Sequence, residues 1–61
     1  MIHPGDRVRH QRYGVGVVER VEHGAQPMVI ARFGVHGSKR IIASYVTVER
    51  RAGGGARGDV F

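Results

Sequence analysis

The side chains of this chain best equipped for chemistry are cationic. Nine of its ten Lys and Arg residues are arginine, set against five carboxylates, for a formal net charge of +5 in 61 residues. Arginine's planar fork makes bidentate contacts with phosphate or carboxylate, so the composition points to an anionic partner: nucleic acid, an acidic protein patch or an anionic membrane surface. The carboxylates Asp6, Glu19, Glu22, Glu49 and Asp59 are dispersed, and no cysteine is present to serve as nucleophile, disulfide partner or zinc ligand. His3, His10, His23 and His36 fall at separate turns or strand ends without metal-ligand spacing, and His10 is expected to bond backbone near the first turn. No enzyme and no cofactor are expected from this inventory, because one small domain has little room for a cleft. Gly14-x-Gly16 is too short for a phosphate fingerprint and lacks a following helix, so its glycines are assigned to backbone conformation. Asp6, next to Gly5, is expected to cap a turn. Arg57-Gly58-Asp59 is read as a chance match to an adhesion tripeptide.

The elements that must carry these groups are short strands. Arg7 to His10 reads as a first strand and Val15 to Glu22 as a second, with imperfect alternation of Val17, Val18 and Val21 that suggests a bulge near Gly16. A turn over residues 23–27 precedes a third strand, Met28 to Phe33, with Val29, Ala31 and Phe33 facing inward. Residues 34–38 form another turn, Lys39 to Ile42 a fourth strand, Ala43-Ser44-Tyr45 a 3₁₀ turn and Val46 to Glu49 a closing strand. The expected fold is all-β: a small five-stranded SH3-like or Tudor-like barrel over residues 1–50, followed by a disordered Gly-rich C-terminal tail over residues 51–61. No apolar run approaches the ~20 residues that span a bilayer, and His3, Pro4 and Asp6 interrupt any signal-peptide pattern. A cytoplasmic, monomeric protein is expected, without membrane contact.

Two motifs carry a resemblance to a known family. Gly5-Asp6-Arg7-Val8-Arg9-His10 followed by Tyr13-Gly14-Val15-Gly16, and later Lys39-Arg40-Ile41-Ile42-Ala43-Ser44-Tyr45 with Val46-Thr47-Val48-Glu49, resemble the C-terminal Tudor-like domain of UvrD/PcrA-family bacterial DNA helicases. The first motif is also similar to the RNA-polymerase-interacting domains of CarD-like regulators and of the transcription-repair coupling factor. The likeness covers Gly5 to Arg50 and departs at Thr47, where the family often has proline. It implies a module that docks on bacterial RNA polymerase, on a lobe of its β subunit, and so brings a helicase or repair factor to transcription at the nucleoid.

The residues allow such docking on their own terms. Met28, Ile30 and Arg32 alternate outward on the third strand, and with Lys39 and Arg40 on the next they would form an apolar patch rimmed by cations, suited to an acidic lobe. The alternative is that Met28 and Ile30 pack beneath a loop or the 3₁₀ turn. A competing function is weak, salt-dependent DNA binding, with Arg7, Arg9, Arg12, Arg20, Arg32, Lys39 and Arg40 as a phosphate stripe and Tyr13 and Tyr45 for stacking. Against it, both tyrosines are expected to pack over an end of the barrel. A methyl-lysine cage is not expected from Tyr13, Phe33 and Tyr45 alone.

Overall fold

Two-residue alternation divides each strand between an inner and an outer face, the pattern of an antiparallel sheet with one side packed. In the computed structural model, which describes residues 1–52, the strands are β1 (Arg7–His10), β2 (Gly14–Glu22), β3 (Met28–Arg32), β4 (Ser38–Ile42) and β5 (Val46–Arg50). Two 3₁₀ turns, Gly34–His36 and Ala43–Tyr45, connect β3 to β4 and β4 to β5. Every neighbouring pair is antiparallel, in the order β4-β3-β2-β1-β5. The small five-stranded all-β fold is thus as expected, and its end strands β4 and β5 share no ladder, which leaves the barrel open with two edges.

The inner face holds the core: Val8, Val18, Val29, Ala31, Phe33 and Ile41 are buried, and Ile2, Tyr13, Val21, Ala43, Val46 and Val48 pack around them. Register brings these residues side by side, with Val18 opposite Ala31, Val29 opposite both Val21 and Ile41, and Val8 opposite Gly16 and Val48. Each fully buried Val, Ile or Phe contributes roughly 1.5–3 kcal/mol by leaving water. Gly16 lies in regular pairing, so the bulge expected there is misplaced. It falls instead at Glu19, because Val18 and Arg20 pair with the consecutive residues Ala31 and Ile30. Position 16 needs glycine for another reason: a Cβ there would sit 2.5 Å from Phe33 Cδ1 and 2.7 Å from the Arg32 carbonyl oxygen. The missing side chain admits the Phe33 ring to the core.

The opening motif fastens the two ends of the fold. Asp6 is 1% exposed, and its carboxylate accepts the His3 N–H at 2.9 Å and the Ala52 N–H at 2.7 Å, with Arg51 Nη1 at 3.7 Å. Its backbone joins in, since Asp6 N–H donates to the His3 carbonyl and the Asp6 carbonyl accepts from Val18 N–H. Gly5 adopts φ +90°, and a Cβ on it would meet the Ala52 Cβ at 2.9 Å, so glycine permits both the turn and the close approach of the chain leaving β5. Asp6 therefore caps a turn, as expected, and also carries the ordered body past residue 50 to Ala52. The remainder of the expected tail, 53–61, lies outside the described residues.

Candidate functional site

The outer face of the sheet gathers most of the residues that the sequence nominates. Met28, Ile30 and Arg32 project from β3, Arg40 from β4, Arg20 from β2, and Arg7 and Arg9 from β1. Ile42 stands opposite Met28, and Ile30 stands between Arg20 and Arg40, so the three apolar side chains form a half-buried strip flanked by arginines. Lys39 does not join them. It pairs with the buried Ala31, so its side chain leaves from the other face, where Nζ lies 5.4 Å from the Tyr13 ring centroid. Grouping Lys39 with Arg40 conflicts with strand alternation, which sends adjacent residues to opposite faces.

Glutamates interleave the outer-face cations. Arg32 Nε donates to Glu19 at 3.2 Å and Ser38 Oγ donates to the other oxygen of the same carboxylate at 3.0 Å. Arg40 Nε donates to Glu22 at 2.8 Å, Arg20 lies 3.7 Å from that carboxylate, and Arg9 bonds Glu49. The bulge is what brings Glu19 to this lattice, since it is the unpaired residue of β2. The Arg40–Glu22 bond spans β3 from β4 to β2. Met28 and Ile30 are half-buried on the outer face. Val15 and Val17, 39% and 47% exposed, extend the apolar surface beside Arg7 and Arg9.

The two open edges present different chemistry. Phe33 N–H donates to the Gly37 carbonyl and Ala43 N–H to the Pro27 carbonyl, each at 2.9 Å, and both bonds continue the uninterrupted β3–β4 register. Bonded and non-bonded pairs alternate in an antiparallel ladder, so Val29–Ile41 and Ala31–Lys39 carry the bonds, and the backbone groups of Ser38, Arg40 and Ile42 point out of the sheet. Their side chains lie on the outer face with the apolar strip. The same reasoning at the other edge starts from Val18 N–H donating to the Asp6 carbonyl at 2.9 Å and leaves the outward groups on Val46 and Val48, of which Val46 N–H is taken by the Ala43 carbonyl; both side chains pack on the core.

Tyr13 and Tyr45 part company. Tyr13 is half-buried and packs as expected over the end of the core, 4.8 Å from the His10 ring and 5.4 Å from those of Phe33 and His36. His10 bonds backbone as expected, its Nδ1 accepting the N–H groups of Arg12 and Tyr13 at 3.0 and 3.2 Å. Tyr45 contradicts the same expectation, for it is 63% exposed. The second 3₁₀ turn holds its ring away from the core, and with His10, Gln11, Arg12 and Ser44 it lines an open cleft at that end of the sheet.

At the opposite pole of the charge distribution lies Asp6. Burial pushes its carboxyl up, but the N–H donors of Ala52 and His3 and the charges of Arg51 and His3 outweigh this and leave it below its ordinary 3.8. This group is structural, having no room for a ligand.

Ile42, Val15, Val17, Glu19 and Glu22 are members of the outer face that the sequence reasoning missed. Ile42 and the two valines were accessible by extending the alternation from Arg40 and from buried Gly16 and Val18. The glutamates were not, because their partners depend on register and on the bulge. No family model matches the chain, and no curated protein matches it.

Proposed function

We propose that this chain is a non-catalytic docking module that binds an extended, acidic segment of a protein partner along β4, and that the partner is the β-subunit lobe of bacterial RNA polymerase. The observation that carries this reading is the coincidence, on one side of the sheet, of an open edge with an apolar strip and arginines. A strand added to β4 would bond the outward backbone groups of Ser38 and Arg40 and the N–H of Ile42, whose carbonyl belongs to the second 3₁₀ turn. Its residues opposite these three would point to the outer face, where a carboxylate meets Arg40 and an apolar side chain meets Ile42. The β5 edge suits addition less, since its outward backbone belongs to residues whose side chains fill the core.

The choice of polymerase rests on the motif resemblance to the helicase domain, and with it come the expected coupling of a helicase or repair factor to transcription, a monomeric state and a place in the cytoplasm at the nucleoid. A phosphate stripe across the outer face is the weaker reading, because it leaves the apolar strip of Met28, Ile30 and Ile42 unused. The test is titration of the chain into purified polymerase, and into its isolated β lobe, at physiological salt. Binding is expected there, with Ile30→Glu and Arg40→Glu each weakening it by about tenfold or more, equivalent to about 1.4 kcal/mol. Folded variants that bind as tightly as the parent chain would overturn the assignment of this face.

A further inference from the structure

The cleft at the end of the sheet, away from the outer face, has a composition the docking function does not use. It is lined by His10, Gln11 and Arg12 from the end of β1 and the β1–β2 turn, and by Ser44 and Tyr45 from the second 3₁₀ turn. We propose that this cleft is a nucleotide-binding site, with a base stacked on Tyr45 and a phosphate held by Arg12.

Three observations converge on that ligand. First, every one of the five lining side chains can donate a hydrogen bond, and no carboxylate lines the cleft among the described residues. That is the donor set of an anion site. Second, Arg12 has no ion-pair partner among the described residues, in contrast to Arg9, Arg20, Arg32 and Arg40, each of which is held by a glutamate. An anion reaching Arg12 displaces no carboxylate of the described residues. Third, Tyr45 is 63% exposed on the second 3₁₀ turn and takes no part in the core, so its ring is offered to solvent. An aromatic ring and a guanidinium that line one cleft suit a ligand that joins a flat ring to an anion, as a nucleotide does.

His10 adds direction. Its Nδ1 is occupied in accepting two backbone N–H groups, so the ring carries its proton on Nε2 and presents a donor while remaining clamped against Tyr13. The ring cannot turn to accept from the ligand without breaking both bonds. Duplex DNA keeps its bases stacked, so the site selects an unpaired nucleotide, which comes either from a single strand or as a free nucleotide.

Tyrosine fluorescence and anisotropy measured with a dT oligonucleotide of about a dozen residues, the duplex of equal length and free dTMP, across a salt series at the low end of ionic strength, decide the matter. The oligonucleotide is expected to bind more tightly than about 1 mM, and more tightly than the duplex. Tyr45→Ala should weaken it about 5- to 100-fold, with Tyr45→Phe restoring binding, and Arg12→Gln should reduce the salt slope by about 0.7. Tyr45 and Arg12 are both exposed, so these variants retain the fold, and circular dichroism checks it. A dTMP affinity equal to the oligonucleotide's assigns the cleft to free nucleotides and supports the same chemistry. Binding unchanged in Tyr45→Ala, or lost through Arg20→Gln on the outer face instead of Arg12→Gln, would overturn the proposal, as would no binding of any probe.

Discussion

Arginine meets carboxylate in two settings in this molecule, and burial makes them different devices. At the clip, Arg51 approaches a carboxylate that is 1% exposed and already holds two backbone N–H groups from opposite ends of the fold. On the outer face, Arg9, Arg20, Arg32 and Arg40 meet glutamates whose side chains are 31–38% exposed, while the arginines themselves are 59–69% exposed. Exposed pairs contribute about 0–1 kcal/mol each, since water screens the attraction and long side chains lose freedom. The buried carboxylate cannot lose its partners so cheaply. Similar pairs therefore differ in weight: the buried one holds the fold together, whereas the outer-face glutamates can release their arginines with little change in fold energy.

Asp6→Ala should destabilise the fold more than any outer-face substitution. It strands the Ala52 and His3 N–H groups and should cost about 2–4 kcal/mol, a large share of the roughly 5 kcal/mol available to a domain of this size. Chemical denaturation measures it, and a loss no larger than that of an outer-face glutamate would abolish the distinction.

Acid gives the next largest effect. The Asp6 pKa in the folded state lies below its ordinary 3.8, so its contribution is present above that value and is lost as pH falls through the folded pKa. The melting temperature of the parent chain should therefore hold above about pH 5 and fall steeply below about pH 4, whereas Asp6→Asn should start lower and fall less. Parallel curves for the two proteins would remove Asp6 from the acid transition.

Glu22→Gln sharpens the comparison from the other side. Stability should change by less than about 1 kcal/mol, while affinity for the proposed acidic partner should rise a few-fold because Arg20 and Arg40 are released. A loss of affinity would mean that Glu22 positions Arg40 for the partner instead of competing with it. The smallest expected effect is that of Tyr45→Ala on folding, within about 0.5 kcal/mol, since the ring stands outside the core. Thermal melts of parent and variant check this, and a larger loss would move Tyr45 from the cleft to the framework.

Much of the fold was legible because its signal is local. Five strands, the 3₁₀ turn at Ala43–Tyr45, the inward set Val29, Ala31 and Phe33, the capping role of Asp6 and the backbone bond of His10 all follow from period-two patterning and turn chemistry. The errors have different origins. Gly16 reads as a bulge because glycine permits one, yet its role is set by the ring of Phe33, which arrives from another strand. Lys39 was attached to Arg40 by adjacency in sequence, and alternation separates them.

The sequence by itself determined which residues could share a face, because strand geometry sends alternate side chains to opposite sides wherever the strand is placed. Tertiary structure decided which of those residues became neighbours. Glu19 reaches Arg32 and Ser38, Glu22 reaches Arg40 across β3, and Asp6 reaches Ala52 through pairings between distant segments. Those pairings depend on register, on one bulged residue and on the failure of β4 and β5 to meet. The spacing of arginines along the chain therefore does not say which guanidinium meets a carboxylate, since the nearest carboxylate is chosen only when the sheet assembles.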